Sequence, residues 1–131
     1  FLAGDVSFTN AEYAEFNENV GAGIVSRSGN DVPHVAPVIW DLTPSQRIGP
    51  VTVSATVRNI GARWGEAANT RRLAPYTTLD GNVSIRFPKN TRLTLTGRNL
   101  TDELYIPRST NTSGRPGAPR NYEVSLTKSF P

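Results

Sequence analysis

Few residues of this chain have the types and spacing that chemistry needs. His34 is the only histidine, and there is no cysteine. No Cys–His nucleophile pair, Cys-based metal site or disulfide can therefore form. An imidazole with no partner beside it is ordinarily structural or solvated. Asp102-Glu103 is an acidic pair. Neighbours in a strand point to opposite faces, so these two carboxylates do not share acid–base work. Gly21-Ala22-Gly23 lacks the third glycine and the strand–helix setting of a dinucleotide site. Three Asn-X-Ser/Thr sequons, at Asn82, Asn99 and Asn111, read as chance matches, two of them inside expected strands. No catalytic residue, metal ligand or cofactor is assigned, and the chain does not read as an enzyme.

The remaining candidates are loop arginines and one tryptophan. Arg63, Trp64, Arg71 and Arg72 lie in the polar stretch 61–75, and Arg108 and Arg115 lie in or beside the stretch 110–119. Guanidinium groups of this kind attract an anionic chelate. Solvated loop charge is the commoner explanation of such residues. The net charge is +3, and Arg71-Arg72 is the only consecutive basic pair. That is too little for a nucleic-acid surface, so no nucleic-acid partner is expected.

These loops need elements to hold them, and the pattern is that of strands. In 118–130, Tyr122, Val124, Leu126 and Phe130 fall on one side while Glu123, Ser125, Thr127 and Ser129 fall on the other. That is the period-two alternation of a strand with one greasy and one wet face. Five more strands are expected, at 5–16 (with a bulge where parity changes near Ala11), 35–42, 51–59, 76–87 and 92–100. The segment 17–32 reads as a loop without an apolar face, and 43–50 as a short turn region. Pro37 belongs at the start of its strand or at a bulge, because it removes a ladder donor. The last strand must be paired or remain an open edge.

The connections alternate. Those after the first, third and fifth strands are long and polar; those after the second and fourth are short. Up-and-down outer-membrane barrels have this arrangement, with long loops outside and short periplasmic turns. No segment approaches the roughly 20 apolar residues of a membrane helix, but a membrane strand needs only about 9–11 alternating ones. The first residue is Phe1 rather than Met, and the chain reads as part of something longer.

The run 75–109, PYTTLDGNVSIRFPKNTRLTLTGRNLTDELYIPRS, followed by GRPGAPRNYEVSLTKSF at 114–130, resembles the C-terminal end of TonB-dependent outer-membrane receptors. The resemblance is carried by Tyr76, Asp80, Asn99-Leu100-Thr101-Asp102, Tyr105, Gly117-Ala118-Pro119-Arg120 and Phe130. VPHVAPVIW is similar to an earlier strand of that region, with His34 and Ala36 departing from it. Family chains end at the aromatic, whereas here Pro131 follows Phe130.

The resemblance implies that 1–131 is the C-terminal portion of a 22-stranded barrel whose N-terminal plug, the part that meets TonB, is not in this chain. It implies an outer-membrane receptor that takes up a ferric siderophore or a similar scarce nutrient with TonB-supplied energy. It also implies that Tyr122, Val124, Leu126 and Phe130 form the signal read by the barrel-assembly machinery. Trp40 and Tyr76 then belong to the aromatic girdles at the lipid interfaces. Two rivals stand beside this reading: a small complete outer-membrane barrel with a structural or adhesion role, and a soluble β-sandwich binding module. The fold class is all-β in each case, and an antiparallel meander of about six strands in the preferred one. Around the turn at Pro88-Lys89-Asn90, pairing Phe87 with Thr91 sets Ile85 against Leu93 and Val83 against Leu95. It also places Asp80 and Arg98 on the polar, lumen-side face, close enough for a charge-assisted contact.

Overall fold

The computed structural model describes residues 1–110 and 113–130. The sequon at Asn111-Thr112 and the departure at Pro131 lie outside the described residues. In chain order the strands are β1 (Leu2–Phe8), β2 (Asn17–Asn19), β3 (Ile24–Ser26), β4 (Val38–Ile48), β5 (Val51–Ile60) and β6 (Arg63–Trp64). They continue with β7 (Arg72–Leu73), β8 (Tyr76–Phe87), β9 (Thr91–Arg98), β10 (Arg108–Ser109), β11 (Gly114–Arg115) and β12 (Asn121–Lys128). Six of them form one antiparallel sheet in the order β1-β4-β5-β8-β9-β12, each paired only with its sequence neighbours in the sheet. The other six are three small hairpins, β2–β3, β6–β7 and β10–β11, one in each long connection.

The register gathers most of the apolar positions of the sheet on one face, with Ile39, Ile60 and Tyr76 on the other. Val6 lies opposite Trp40 and Phe8 opposite Val38. Leu42 meets Val57, which meets Leu79. Val53 meets Val83, Val83 meets Leu95, and Leu95 meets Val124. Directly opposed residues share a face, so this is one continuous apolar surface. It packs on nothing: Val53 is 44% exposed, Leu95 43%, Val124 68% and Leu126 71%. Among the described residues the only buried hydrophobic side chains are Ala36 and Leu73, and both lie outside the sheet. A sandwich needs its apolar faces pressed together, so that rival fails. The sheet is also open, with β1 and β12 as its unpaired edges, so the chain is not a complete small barrel.

The observed strands differ from the expected ones at several places, besides the β6–β7 and β10–β11 hairpins inside connections expected to be loops. The first ends at Phe8, and the parity change near Ala11 marks the departure from the sheet rather than a bulge. Beyond it Tyr13 stacks on Phe16 at 4.7 Å, and Glu12 makes an isolated bridge to Asp31. The stretch 17–32 contains the β2–β3 hairpin, closed by an ion pair of 2.8 Å between Arg27 and Glu18. Most of 43–50 is strand, because β4 runs on to Ile48 and the turn is only Gly49-Pro50. Pro44 lies inside β4, and the β4–β5 ladder is interrupted at Thr43 and Pro44, as a missing N–H requires. The Thr43 and Thr56 hydroxyls, 2.9 Å apart, bridge the gap.

The β8–β9 hairpin has the register its pattern demands, with Phe87 opposite Thr91, Ile85 opposite Leu93 and Val83 opposite Leu95. Lys89 and Asn90 both have positive φ, 59° and 55°, which turns the chain tightly between the strands. β9 then stops at Arg98, because Asn99 adopts the left-handed conformation with φ 51°. All the long connections leave one end of the sheet and both tight turns close the other.

Candidate functional site

The long connections are not separate floppy loops. They fold into one interlocked cap. The His34 N–H donates to the Trp64 carbonyl at 2.8 Å. Trp64 Nε1–H donates to Asp31 Oδ2 at 2.7 Å, and the Asn30 amide donates to the Ala67 carbonyl at 2.7 Å. Asn69 Oδ1 accepts from the Asp31 N–H at 2.7 Å. The third connection joins through His34 Nε2, which lies 2.9 Å from the Ser109 carbonyl oxygen and so carries the proton there. Arg71 donates to the Thr110 carbonyl at 2.9 Å.

Arg63 is the centre of the cap, not a loop cation facing solvent. It is 4% exposed, and its guanidinium donates to the carbonyls of Ile106 at 2.9 Å and Pro107 at 2.7 Å. It also lies 5.3 Å over the Tyr76 ring. A buried guanidinium must spend its donors on acceptors nearby, and here they tie the second connection to the third. Arg71 stays exposed despite its carbonyl contact, and Trp64 is half-buried. Arg72, Arg108 and Arg115 are exposed, and Arg108 lies directly opposite Arg115 in the β10–β11 hairpin.

Two titratable groups of the cap are shifted. Burial pulls His34 below its ordinary value of 6.5, and the charges of Arg108 and Arg63 push it the same way. Glu66 is buried, which by itself raises its pKa, yet the net shift is downward from 4.5. The Arg71 N–H and the Thr70 hydroxyl and N–H all donate to its carboxylate and outweigh the burial. No group of three or more acidic, His or Cys side chains able to hold a metal occurs among the described residues.

Beneath the cap, on the polar face of the sheet, lies a cavity of about 390 Å³. Arg58, Tyr76, Asp80, Arg98 and Tyr105 are among the residues that line it. Tyr76 and Tyr105 stack at 4.2 Å. Tyr76 pairs with Ile60 and shares the parity of Asp80, so it faces this cavity rather than the apolar side, and the girdle reading of Tyr76 is corrected. Trp40 is on the apolar side, level with Val6.

Asp80 and Arg98 both line the polar-face cavity, but they do not contact each other as expected. Arg98 turns toward β12 and pairs with Glu123 at 3.0 Å. Asp80 Oδ1 accepts the Asn99 N–H at 2.9 Å instead. An N–H that leaves the ladder in the left-handed conformation needs an acceptor, and this carboxylate is beside it.

That bond belongs to a cluster that short motifs had flagged without showing its purpose. Asn99 is 3% exposed; its amide donates to the carbonyls of Glu103 and Ala118, both at 3.0 Å, and accepts the Glu103 N–H at 2.9 Å. Asp102 accepts the Arg120 N–H at 2.9 Å. Gly117 lies against the Tyr105 ring so closely that a Cβ there would overlap it. Together these residues fasten β8, β9 and the approach to β12 into a clamp at the capped end. Tyr122, Val124 and Leu126 sit on the apolar face of the open edge strand, and Phe130 follows it, 77% exposed with Lys128 5.1 Å over its ring.

No family model matches the chain, and no curated protein matches it. Solved structures do. The siderophore receptor PiuA from Acinetobacter baumannii superposes with a TM-score of 0.83 at 18% identity, over 95% of this chain and 19% of that one. The closed form of the ferric-catecholate import receptor Fiu from E. coli K12 gives 0.74 at 20% identity, over 95% and 18%. BauA, the ferric preacinetobactin receptor from Acinetobacter baumannii, gives 0.68 at 20% identity, over 95% and 19%. The six-stranded sheet and its capping connections thus have the fold of a segment of a large receptor β-barrel. The chain spans about a fifth of the length of these receptors.

Proposed function

We propose that this chain is the C-terminal portion, 1–131, of the β-barrel of a TonB-dependent receptor in the bacterial outer membrane. The parent protein imports a ferric siderophore or a similar scarce nutrient with TonB-supplied energy. The observation that carries this reading is the bare apolar face, continuous over six strands, on a sheet with the fold of siderophore-receptor barrels. Strands of 10, 11 and 12 residues at β5, β4 and β8 meet the roughly 9–11 needed to cross a bilayer. In this reading lipid covers the apolar face, the polar face lines the lumen, and the interlocked cap is extracellular.

The chain contributes wall and mouth rather than a reaction, and no catalytic step is assigned to it. The exposed Arg71, Arg72, Arg108 and Arg115, with Trp64 beside them, are the mouth residues offered to an anionic chelate. Energy coupling belongs to a plug outside this chain, and recognition by the barrel-assembly machinery belongs to the edge strand ending at Phe130.

The test uses the full-length protein, expressed in a strain stripped of its own siderophore receptors and grown under iron limitation. Growth restored by a ferric siderophore, and lost again when TonB is removed, is the expected result. Growth restored without TonB, or by none of a broad panel of ferric chelates, overturns the proposal.

A further inference from the structure

Alternation fixes the face that each strand residue takes, but it leaves the register partly open. A slip of one residue between neighbouring strands mixes the faces, whereas a slip of two keeps them. A tight turn removes that freedom, because its length sets the register. The β4–β5 and β8–β9 pairs have such turns, at Gly49-Pro50 and Pro88-Lys89-Asn90. The β9–β12 pair has none, since Arg98 and Asn121 are joined by the whole connection 99–120. A two-residue slip there satisfies both faces of the sheet. From the observed register it would set Val124 opposite Gly97 and Leu126 opposite Leu95, apolar against apolar. It would also set Glu123 directly opposite Arg98, with which it already forms an ion pair. Something other than the side-chain pattern must therefore hold the last strand in place.

We infer that the clamp at the root of this connection sets the register of β12, in place of a tight turn. Three groups after β9 hold three backbone groups before β12. The Asn99 amide donates to the Ala118 carbonyl at 3.0 Å, and Asp102 Oδ1 accepts the Arg120 N–H at 2.9 Å. The Tyr105 carbonyl accepts the Gly117 N–H at 2.8 Å. The holding groups are themselves fixed to one another. The Asp102 N–H donates to the Asn99 carbonyl at 2.8 Å, and Asn99 Oδ1 accepts the Glu103 N–H at 2.9 Å. A slip of two residues moves 117, 118 and 120 by about 7 Å along the strand, far beyond hydrogen-bond reach. Gly97 adds a steric stop. It is the only glycine of β9, and the Tyr122 ring seats on its bare backbone, 3.3 Å from where a Cβ would stand. Beyond the clamp the connection serves the cap: Ile106 and Pro107 accept from Arg63, and Thr110 accepts from Arg71. Those bonds run to the second connection and leave the β9–β12 register unspecified. The inference concerns this strand pairing alone and holds whatever the cargo of the barrel.

The experiment uses the full-length protein, folded from urea into detergent, in a background otherwise free of cysteine. Each version carries one cysteine pair, and the rate of disulfide formation is read after folding. L95C/V124C joins residues that lie opposite each other in the observed register. L95C/L126C and L93C/V124C report slips of two residues in the two directions. With the clamp intact the first pair should oxidise at least tenfold faster than either of the others. The double variant N99G/D102A, which keeps the left-handed residue but removes the holding side chains, should lower that preference at least fivefold. R63Q, which cuts ties of the cap and spares the clamp, should leave it within twofold. A loss of less than twofold in N99G/D102A overturns the inference. So does an equal loss in R63Q, or a slipped pair that already prevails with the clamp intact. Should N99G/D102A fail to fold, D102A alone decides: a loss of at least twofold is expected, and a smaller one overturns the inference.

Discussion

Asn99 shows what single side chains do in this molecule. Its amide makes three hydrogen bonds while its backbone holds φ at 51°. Asn99→Gly keeps the conformation and loses the bonds; Asn99→Ala loses both. Leaving buried polar groups unpaired costs about 1–3 kcal/mol, and an alanine in the left-handed region adds about 1–2 kcal/mol. The melting temperature of the full-length protein in detergent should therefore fall in the order wild type, Asn99→Gly, Asn99→Ala. Equal values for the two variants would show that the backbone there is not strained.

His34 and Glu66 give the cap a pH dependence whose sign follows from their shifts. The folded His34 takes a proton less readily than the unfolded one, so cap stability is full above 6.5 and weakens as pH falls from there toward its lowered value. The folded Glu66 holds its charge more firmly, so its contribution is full above 4.5 and is lost as pH falls through its depressed value. Hydrogen-exchange protection of 30–36 and 63–73, read across pH 8 to 3 on the full-length protein, should decline in two steps. His34→Gln should remove the upper step and Glu66→Gln the lower. A flat profile in wild type would show that neither group senses the closed cap.

At the scale of elements the β8–β9 hairpin and the last strand are the informative ones. The tight turn places two non-glycine residues, Lys89 and Asn90, at positive φ. Asn90→Gly should be neutral or slightly stabilising, whereas Asn90→Val should cost about 1–2 kcal/mol, since a β-branched side chain resists that region. Denaturant midpoints of the two variants check this, and a better-tolerated valine would mean that the turn differs. For the edge strand, Phe130→Ala in the parent protein should lower its outer-membrane level more than Phe16→Ala does. Phe16 packs inside its own connection against Tyr13, while Phe130 lies exposed beyond an unpaired edge. Equal levels would remove any special role for Phe130.

At the scale of the whole molecule, two open edges and a bare apolar face dominate. Exposed patches larger than a few hundred Å² are sites of association, and a long unpaired strand invites another chain. Residues 1–131 expressed alone in water should be insoluble or oligomeric, and should gain sheet structure only with detergent or lipid. A soluble monomer with a cooperative melt would contradict the proposal that this face meets lipid.

The sequence by itself determined the six main strands, the ends at which long and short connections fall, and the β8–β9 register. Period-two alternation survives in a strand because each residue's face is fixed by its own parity, and a one-residue slip would mix the faces. It also marked the motif residues from Tyr76 to Arg120. Their purpose became visible only when tertiary structure brought Asp80, Asn99, Asp102 and the approach to β12 together. Three features depended on contacts between distant segments, which local patterns do not encode. Arg63 was buried by carbonyls 43 and 44 residues away. Asp80 was claimed by a backbone N–H in place of Arg98. Pro44 remained in its strand because neighbours on both sides held the ladder around a single missing donor.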